Sequence, residues 1–305
     1  MLMKILRGIS SQPSEQSQPE APVPSPQVMP AVLYLEENPG LRVIVPPVDG
    51  SYAAVVNSRH GVVIIDRYDA GVGWQLTEHG AYDANQMEFL EFTARAAPPG
   101  AVLLDIGANI GIAALTLSRV AGPAGTVHAF EPQRVIFHML AGNMALNSID
   151  NVFVYHQAVG SAPGQARIPR LDYRAQTSFG SVELNREYQS DANQQALDGV
   201  FDNVTMISLD GLALPRVDFI KIDVEGMEAE VLAGAAQTIS RCRPLMYIEY
   251  LKTGRQAVAG PLIRIAYALF DVGDNFVCVP EEHLRLGEFT DRFTRWTSAG
   301  QDIPE

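Results

Sequence analysis

The chain is short of cysteine, of positive charge and of long apolar runs, and each shortage removes a class of protein. Cys242 and Cys278 are its only cysteines. Two thiols make no disulfide framework and show no metal-ligand spacing. Both read as buried, and a reducing cytosol is the expected setting. Lys and Arg number 22 against 35 Asp and Glu, a formal net charge of −13, and the basic residues form no run. That balance speaks against nucleic acid or an anionic membrane surface as the main partner, since both call for basic patches. No stretch reaches the ~18 apolar residues of a membrane helix. The N-terminal MLMKILRGIS lacks the sustained apolar core of a signal peptide. A cytoplasmic chain is expected. Neither G-x-S-x-G nor a zinc-ligand motif occurs, so neither a serine nucleophile nor a metal centre has a motif behind it.

What is present describes an ordinary globular protein. The 305 residues, 47% hydrophobic and 19% charged, suffice for one large α/β domain with extras. Residues 1–30 are rich in Ser, Gln, Pro and Glu, cannot bury enough surface to offset their ordering entropy, and read as a disordered tail. A β-rich leader is expected over 31–81, where LRVIV, YAAVV and GVVIID are broken by turn residues. A helix over 84–96, with Met87, Leu90 and Ala94 on one face, ends before Pro98-Pro99-Gly100. From Ala101 strands and helices alternate, which predicts a mainly parallel sheet with helices on both faces within a domain of residues 82–305. The strands are AVLLDI, TVHAFE, VFVYHQAV, VDFIKIDVE, PLMYIEY and NFVCV, and the helices fall near 110–120, 135–146, 227–240 and 261–270. Residues 160–203 show no clear period. A long excursion inside a compact domain suggests an acceptor-side flap.

The most informative run is VLLDIGANIG, residues 102–111. An apolar strand meets Asp105 and then a loop, Gly107-Ala108-Asn109-Ile110-Gly111, that opens a helix. Glycine lets a backbone approach a ligand closely, and the amides that follow point at it. The dinucleotide fingerprint G-x-G-x-x-G needs a middle glycine to admit a pyrophosphate, and that glycine is absent here. An NAD-dependent oxidoreductase is disfavoured accordingly. Glu131, at the tip of the next strand, suits the paired hydroxyls of a ribose. Pro132 after it cannot continue the ladder, so both carboxylate oxygens are expected to be free for those hydroxyls. A ribose without a pyrophosphate makes S-adenosylmethionine the first candidate. Gln157-Ala158, at the third strand tip, would reach the base.

KIDVEG, residues 221–226, is the least typical strand. Strands buried on both faces read as continuous Val, Ile and Leu. Here Lys221, Asp223 and Glu225 alternate with apolar residues, which puts three charges on one side at the sheet edge where α/β proteins bind ligands. They could serve catalysis, brace the neighbouring loop as a Lys–Asp pair, or in the case of Glu225 start a helix. Glu249 ends the next strand. Carboxylates along one edge suit a sulfonium cofactor and a base for a hydroxyl; they suit a divalent ion equally, and no metal is assigned.

Together these segments resemble the FkbM family of S-adenosylmethionine-dependent methyltransferases. The likeness rests on LLDIGANIG, HAFEPQ, NMALN, HQAVG, ISLDGL, FIKIDVEGMEAEVLAGA and YIEY, in order between about Tyr82 and Glu249. It implies a seven-stranded, Rossmann-like class I methyltransferase fold and methyl transfer to oxygen, on a sugar or glycan hydroxyl or on a polyketide-like metabolite. It carries cofactor roles to Asp105, Gly107, Asn109 and Glu131 and sets Asp223 and Glu225 at the catalytic end of the fourth strand. A non-catalytic partner subunit would have lost Asp105 or Glu131, and a homo-oligomer stays open.

Overall fold

A computed structural model describes residues 43–45, 50–181 and 196–297. The expected tail lies outside them. Three strands, β1 (Val43–Val45), β2 (Ala53–Ser58) and β3 (Gly61–Asp66), form an antiparallel sheet. Two helices follow. The first, α1 (Val72–His79), is one the sequence pattern does not announce. The second, α2 (Ala84–Ala94), is capped by the Asp83 carboxylate, which accepts from the Gln86 amide at 3.0 Å, and it buries Met87, Leu90 and Ala94 as expected.

The main body alternates as predicted. In chain order it comprises β4 (Val102–Ile106), α3 (Ile112–Ala121), β5 (Thr126–Phe130), α4 (Arg134–Leu146), β6 (Val152–Tyr155), β7 (Ala158–Val159), β8 (Gly164–Leu171) and β9 (Ala196–Ile207). Then come β10 (Phe219–Ile222), α5 (Glu228–Gly234), α6 (Ala236–Cys242), β11 (Leu245–Glu249), α7 (Arg255–Ile263), β12 (Tyr267–Val272), β13 (Asn275–Pro280) and α8 (Leu286–Arg292). Seven of the strands make one sheet in the order β12-β13-β11-β10-β4-β5-β6, with only β13 antiparallel to its neighbours. This is the class I methyltransferase fold.

Alternation along each strand feeds two cores. Leu103, Val127, Phe219 and Tyr247 pack on the face covered by α2, α3 and the leader sheet. Leu104, Phe130, Ile220 and Met246 pack on the other. The parity also matters for charge. Lys221 lies opposite Asp105 in the register of β10 on β4, so an acid and a base enter the same buried face side by side.

Three expectations need correction. The helix placed at 261–270 is α7, which ends at Ile263, and YALFDV is instead strand β12. A short apolar run fits a buried strand as well as a helix, and periodicity alone cannot separate them. The alternation of KIDVEG also misleads, because β10 stops at Ile222 and Glu225 and Gly226 both have positive φ, 58° and 100°. Glu225 therefore sits on a turn and not on a strand face. Lastly, the stretch after Gly160 is partly ordered β structure. β8 pairs antiparallel with β9, and β7 leaves the main sheet to join β9 in a second, three-stranded sheet.

The leader docks through two asparagines. Asn143 on α4 accepts from the Ile64 amide and donates to the Ile64 carbonyl, at 2.5 and 3.1 Å. Asn147 does the same for Val62, at 3.1 and 2.7 Å. Two carboxamides one turn apart thus satisfy the exposed edge of β3, which would otherwise invite pairing with another chain.

Candidate active site

The loop after β4 is held from both sides. The amides of Gly107 and Ala108 donate to the Phe130 carbonyl at 3.1 and 2.9 Å, and Lys221 Nζ donates to the Gly107 carbonyl at 2.7 Å. Gly107 has φ 77°, and a Cβ on it would lie 1.8 Å from the Asp223 carbonyl oxygen. Only glycine allows these two strand-end loops to touch. Gly111 has a similar role in packing, since its missing side chain leaves room for Leu140 and Met144 of α4.

Asp105 is fully buried, and its nearest partner is the Lys221 ammonium at 3.4 Å. Lys221 stands equally far, 3.4 Å, from Asp223. Burial alone would lower the Lys221 pKa, but Asp223 and Asp105 outweigh it and hold the ammonium well above its ordinary value. Lys221 therefore stays charged and ties the Gly107 loop to the end of β10.

Glu131 is also buried, and its oxygens are not free as the Pro132 argument suggests. Oε2 accepts from the Asn109 amide at 2.9 Å and Oε1 from the Gln133 amide at 2.8 Å. Each oxygen keeps a further lone pair for a ligand hydroxyl. Burial pushes this carboxyl up to about 7 against the opposing pull of the two amides.

Gly107, Asn109, Glu131, Pro132, Gln157, Ala158, Asp223 and Glu225 line one cavity of about 270 Å³. Ala108 and Lys221 line a neighbouring one of about 60 Å³, together with Asp223. Asp105 and Gly111 line neither and act from beneath. The larger cavity also takes in residues the sequence did not single out: Gln75, Tyr82, Gln86, Ser178, Gly180 and Lys252. They form its roof and rim. The leader and the insertion meet there, where the Ala70 amide donates to the Thr177 carbonyl at 2.9 Å and Thr177 returns a bond to Tyr68 at 3.2 Å. Gln133 Nε2 fastens the same segment through the Phe179 carbonyl at 2.9 Å. No local pattern marks such residues, because they come together only when distant segments fold over the sheet edge.

The far wall is acidic. Glu225 is paired with Lys252, and burial with the nearby Asp223 charge raises it to about 7. Glu249, at the tip of β11, is pushed up to about 9 by burial and by Asp223 and Glu225. Behind them fully buried Glu228 accepts from the amides of Val224 and Gly226 at 3.0 and 3.2 Å and shapes the turn that carries Glu225. Four carboxyls, those of Glu131, Asp223, Glu225 and Glu249, thus face one ammonium, Lys252, across the cavity. A cationic ligand suits that excess. Two buried acceptors beside the cavity, Gln133 Oε1 and Glu249 Oε2, have no hydrogen-bond partner. Among the described residues no group of three or more His, Cys, Asp or Glu is arranged to hold a metal ion.

A model of the methyltransferase FkbM domain matches residues 105–277, more than half of the chain. The chain belongs to that family. The matched domain is a methyltransferase domain, and the family implies S-adenosylmethionine as its cofactor. Methyltransferase sdnD of Sordaria araneosa is 28% identical over 161 residues, covering 45% of this chain and 61% of that protein. Methyltransferase 1 of Beauveria bassiana is 29% identical over 150 residues, covering 45% and 59%. A segment of the AMB antimetabolite synthetase AmbE of Pseudomonas aeruginosa is 30% identical over 166 residues, which is 45% of this chain and 8% of the synthetase. The chain thus spans about three fifths of sdnD and Methyltransferase 1 and a small part of AmbE. The solved FkbM methyltransferase from Methylobacillus flagellatus is 19% identical with a TM-score of 0.40, covering 59% of this chain and 42% of that one. No helix among the described residues is long and apolar enough to cross a membrane.

Proposed function

We propose that this methyltransferase methylates a hydroxyl oxygen of a sugar or glycan. One observation carries the reading: an acidic cavity at the carboxyl edge of the sheet has a rim of amides and hydroxyls. Gln75, Gln86, Tyr82 and Ser178 supply the rim, and such groups match a polyhydroxylated acceptor better than an apolar one. Bound S-adenosylmethionine supplies an activated methyl on a positively charged sulfur. The chain does the rest. Glu131 and Gln133 would hold the ribose hydroxyls, Pro132, Gln157 and Ala158 would border the base, and Gly107 and Asn109 would border the amino-acid end, with Ala108 holding their loop to Phe130. Asp105 and Gly111 act at one remove, keeping that loop in shape. Lys221 fixes the loop against Asp223, so that Asp223 and Glu225 face the reacting centre. Most of the rate enhancement then comes from aligning acceptor and methyl group, where well-oriented reactions gain on the order of 7–11 kcal/mol. A carboxylate that accepts the hydroxyl proton adds roughly 10²–10⁴-fold. The low basic charge and two unpaired cysteines support a small-molecule or glycan acceptor and a cytoplasmic setting.

A second acceptor class, a secondary metabolite, is favoured by the relative that lies within an antimetabolite synthetase. Methyl-tritiated S-adenosylmethionine, offered with a panel of oligosaccharides and of hydroxylated natural products, separates the two. Label in the oligosaccharides is the expected result. Label confined to the natural products would move the assignment to the second class. If wild type binds the cofactor yet labels no hydroxyl in either set, hydroxyl methylation is wrong.

A further inference from the structure

The acidic wall is not uniform, because three of its four carboxyls are already committed. Glu131 accepts two amides, at 2.9 and 2.8 Å. Asp223 shares the Lys221 ammonium, and Glu225 is paired with Lys252. Glu249 differs. Its Oε2 is buried without a hydrogen-bond partner, and among the described residues no salt bridge reaches it. Leaving a buried carboxyl unpartnered is costly. The residue nevertheless sits at the tip of a central strand, against the cavity wall formed by Asp223 and Glu225.

We propose that Glu249 is the base that takes the proton of the acceptor hydroxyl. This rests on the methyl-transfer reading above. The acceptor oxygen bonds to the methyl carbon as that carbon's bond to sulfur breaks, the electron pair leaving on sulfur. The hydroxyl proton passes to the Glu249 carboxylate, whose residue lines the cavity, and the acceptor leaves as a neutral ether.

The surroundings of Glu249 make this availability conditional. Lys221 faces it from β10, Asp223 and Glu225 from the turn beyond, Glu228 from α5, Tyr247 from its own strand and Tyr82 from the segment before α2. Burial and the neighbouring acids raise its pKa to about 9, so the cavity without ligand holds a protonated Glu249 at neutral pH. A positive charge brought close reverses that preference and releases the proton. The base is then unmasked only once the charged cofactor is in place.

Calorimetry tests this at pH 8, in two buffers of different ionisation enthalpy. The probes are S-adenosylmethionine and S-adenosylhomocysteine, which lacks the sulfonium charge. Glu131 and Glu225, near 7, are then mostly ionised, and because the cofactor's own amino group titrates near 8, the difference in release between wild type and Glu249→Gln reports Glu249. Wild type should release roughly one proton more than Glu249→Gln on binding S-adenosylmethionine and no more than it on binding S-adenosylhomocysteine. Glu249→Gln imitates the protonated acid and keeps the fold. It should bind both probes with affinity within about tenfold of wild type and label transfer lowered at least about 100-fold. Glu249→Asp should restore the extra release. Equal release in wild type and Glu249→Gln, or transfer within about threefold of wild type, overturns the assignment. Failure of wild type to bind S-adenosylmethionine would sink the methyl-transfer reading itself, and Glu249 with it.

Discussion

The two halves of the sheet edge are built on opposite principles. Around β4 and β5 the loop and the Glu131 carboxylate are held by backbone: the Phe130 carbonyl receives two amides, and Glu131 receives two more. Around β10 and β11 side-chain charges crowd one another, so that nearby acids add to burial in raising Glu225 and Glu249, whereas Glu131 rises through burial against its two amides. The first half is a fixed template. The second stores unfavourable charge that a cation can relieve. A binding surface gains from rigidity, whereas a wall that must accept a proton gains from carboxyls of raised basicity.

The halves meet at Gly107, and breaking that seam should have the largest effect. Gly107→Ala places a methyl group against the Asp223 carbonyl at a positive φ. The variant should lose roughly 3 kcal/mol of stability in urea denaturation and lose cofactor binding altogether. Wild-type stability would show that the two loops move apart freely.

A paired substitution sharpens the contrast. Glu131→Ala leaves the Asn109 and Gln133 amides without their acceptor and removes the acceptor for the ribose, so affinity for S-adenosylmethionine should drop about 10–100-fold by calorimetry. Asp223→Ala should instead lower turnover about 100-fold while affinity changes less than about tenfold. Equal losses of affinity in the two would erase the distinction between template and chemical wall.

The most gradual effect is in stability against pH. Glu225 and Glu249 have pKa values raised in the folded state, near 7 and 9. Protonation therefore favours the fold. Their contribution is whole below the ordinary carboxyl range, falls as pH rises above it, and is gone beyond about 9. The melting temperature should decline between pH 5 and 9, and Glu249→Gln should be nearly flat between pH 8 and 9, where Glu225 is already ionised. A profile identical to wild type would mean that Glu249 titrates normally.

How much of this was legible in the sequence varies along the same edge. DIGANIG and FEP were readable because their information is local: an apolar strand, a glycine turn, an acid before a proline. Even there Glu131 misled, since its two amide donors come from loops folded around it. KIDVEG showed its charges but not their places. Alternation put Glu225 in line with Lys221 and Asp223, whereas a left-handed turn held by Glu228 carries it to Lys252. YALFDV was equally good as helix or strand, and pairing with β13 settled it.

By itself the sequence determined the strand–helix alternation from β4 to β6, the glycine loop after β4 and the acidic character of the edge, because hydrophobic period and turn chemistry act over a few residues. Only the tertiary structure decided which acids stay paired and which is left alone. It also decided that the leader and the insertion roof the cavity. Both depend on burial and on contacts between segments far apart in the chain, and burial sets the pKa of a carboxyl more strongly than its neighbours in sequence do.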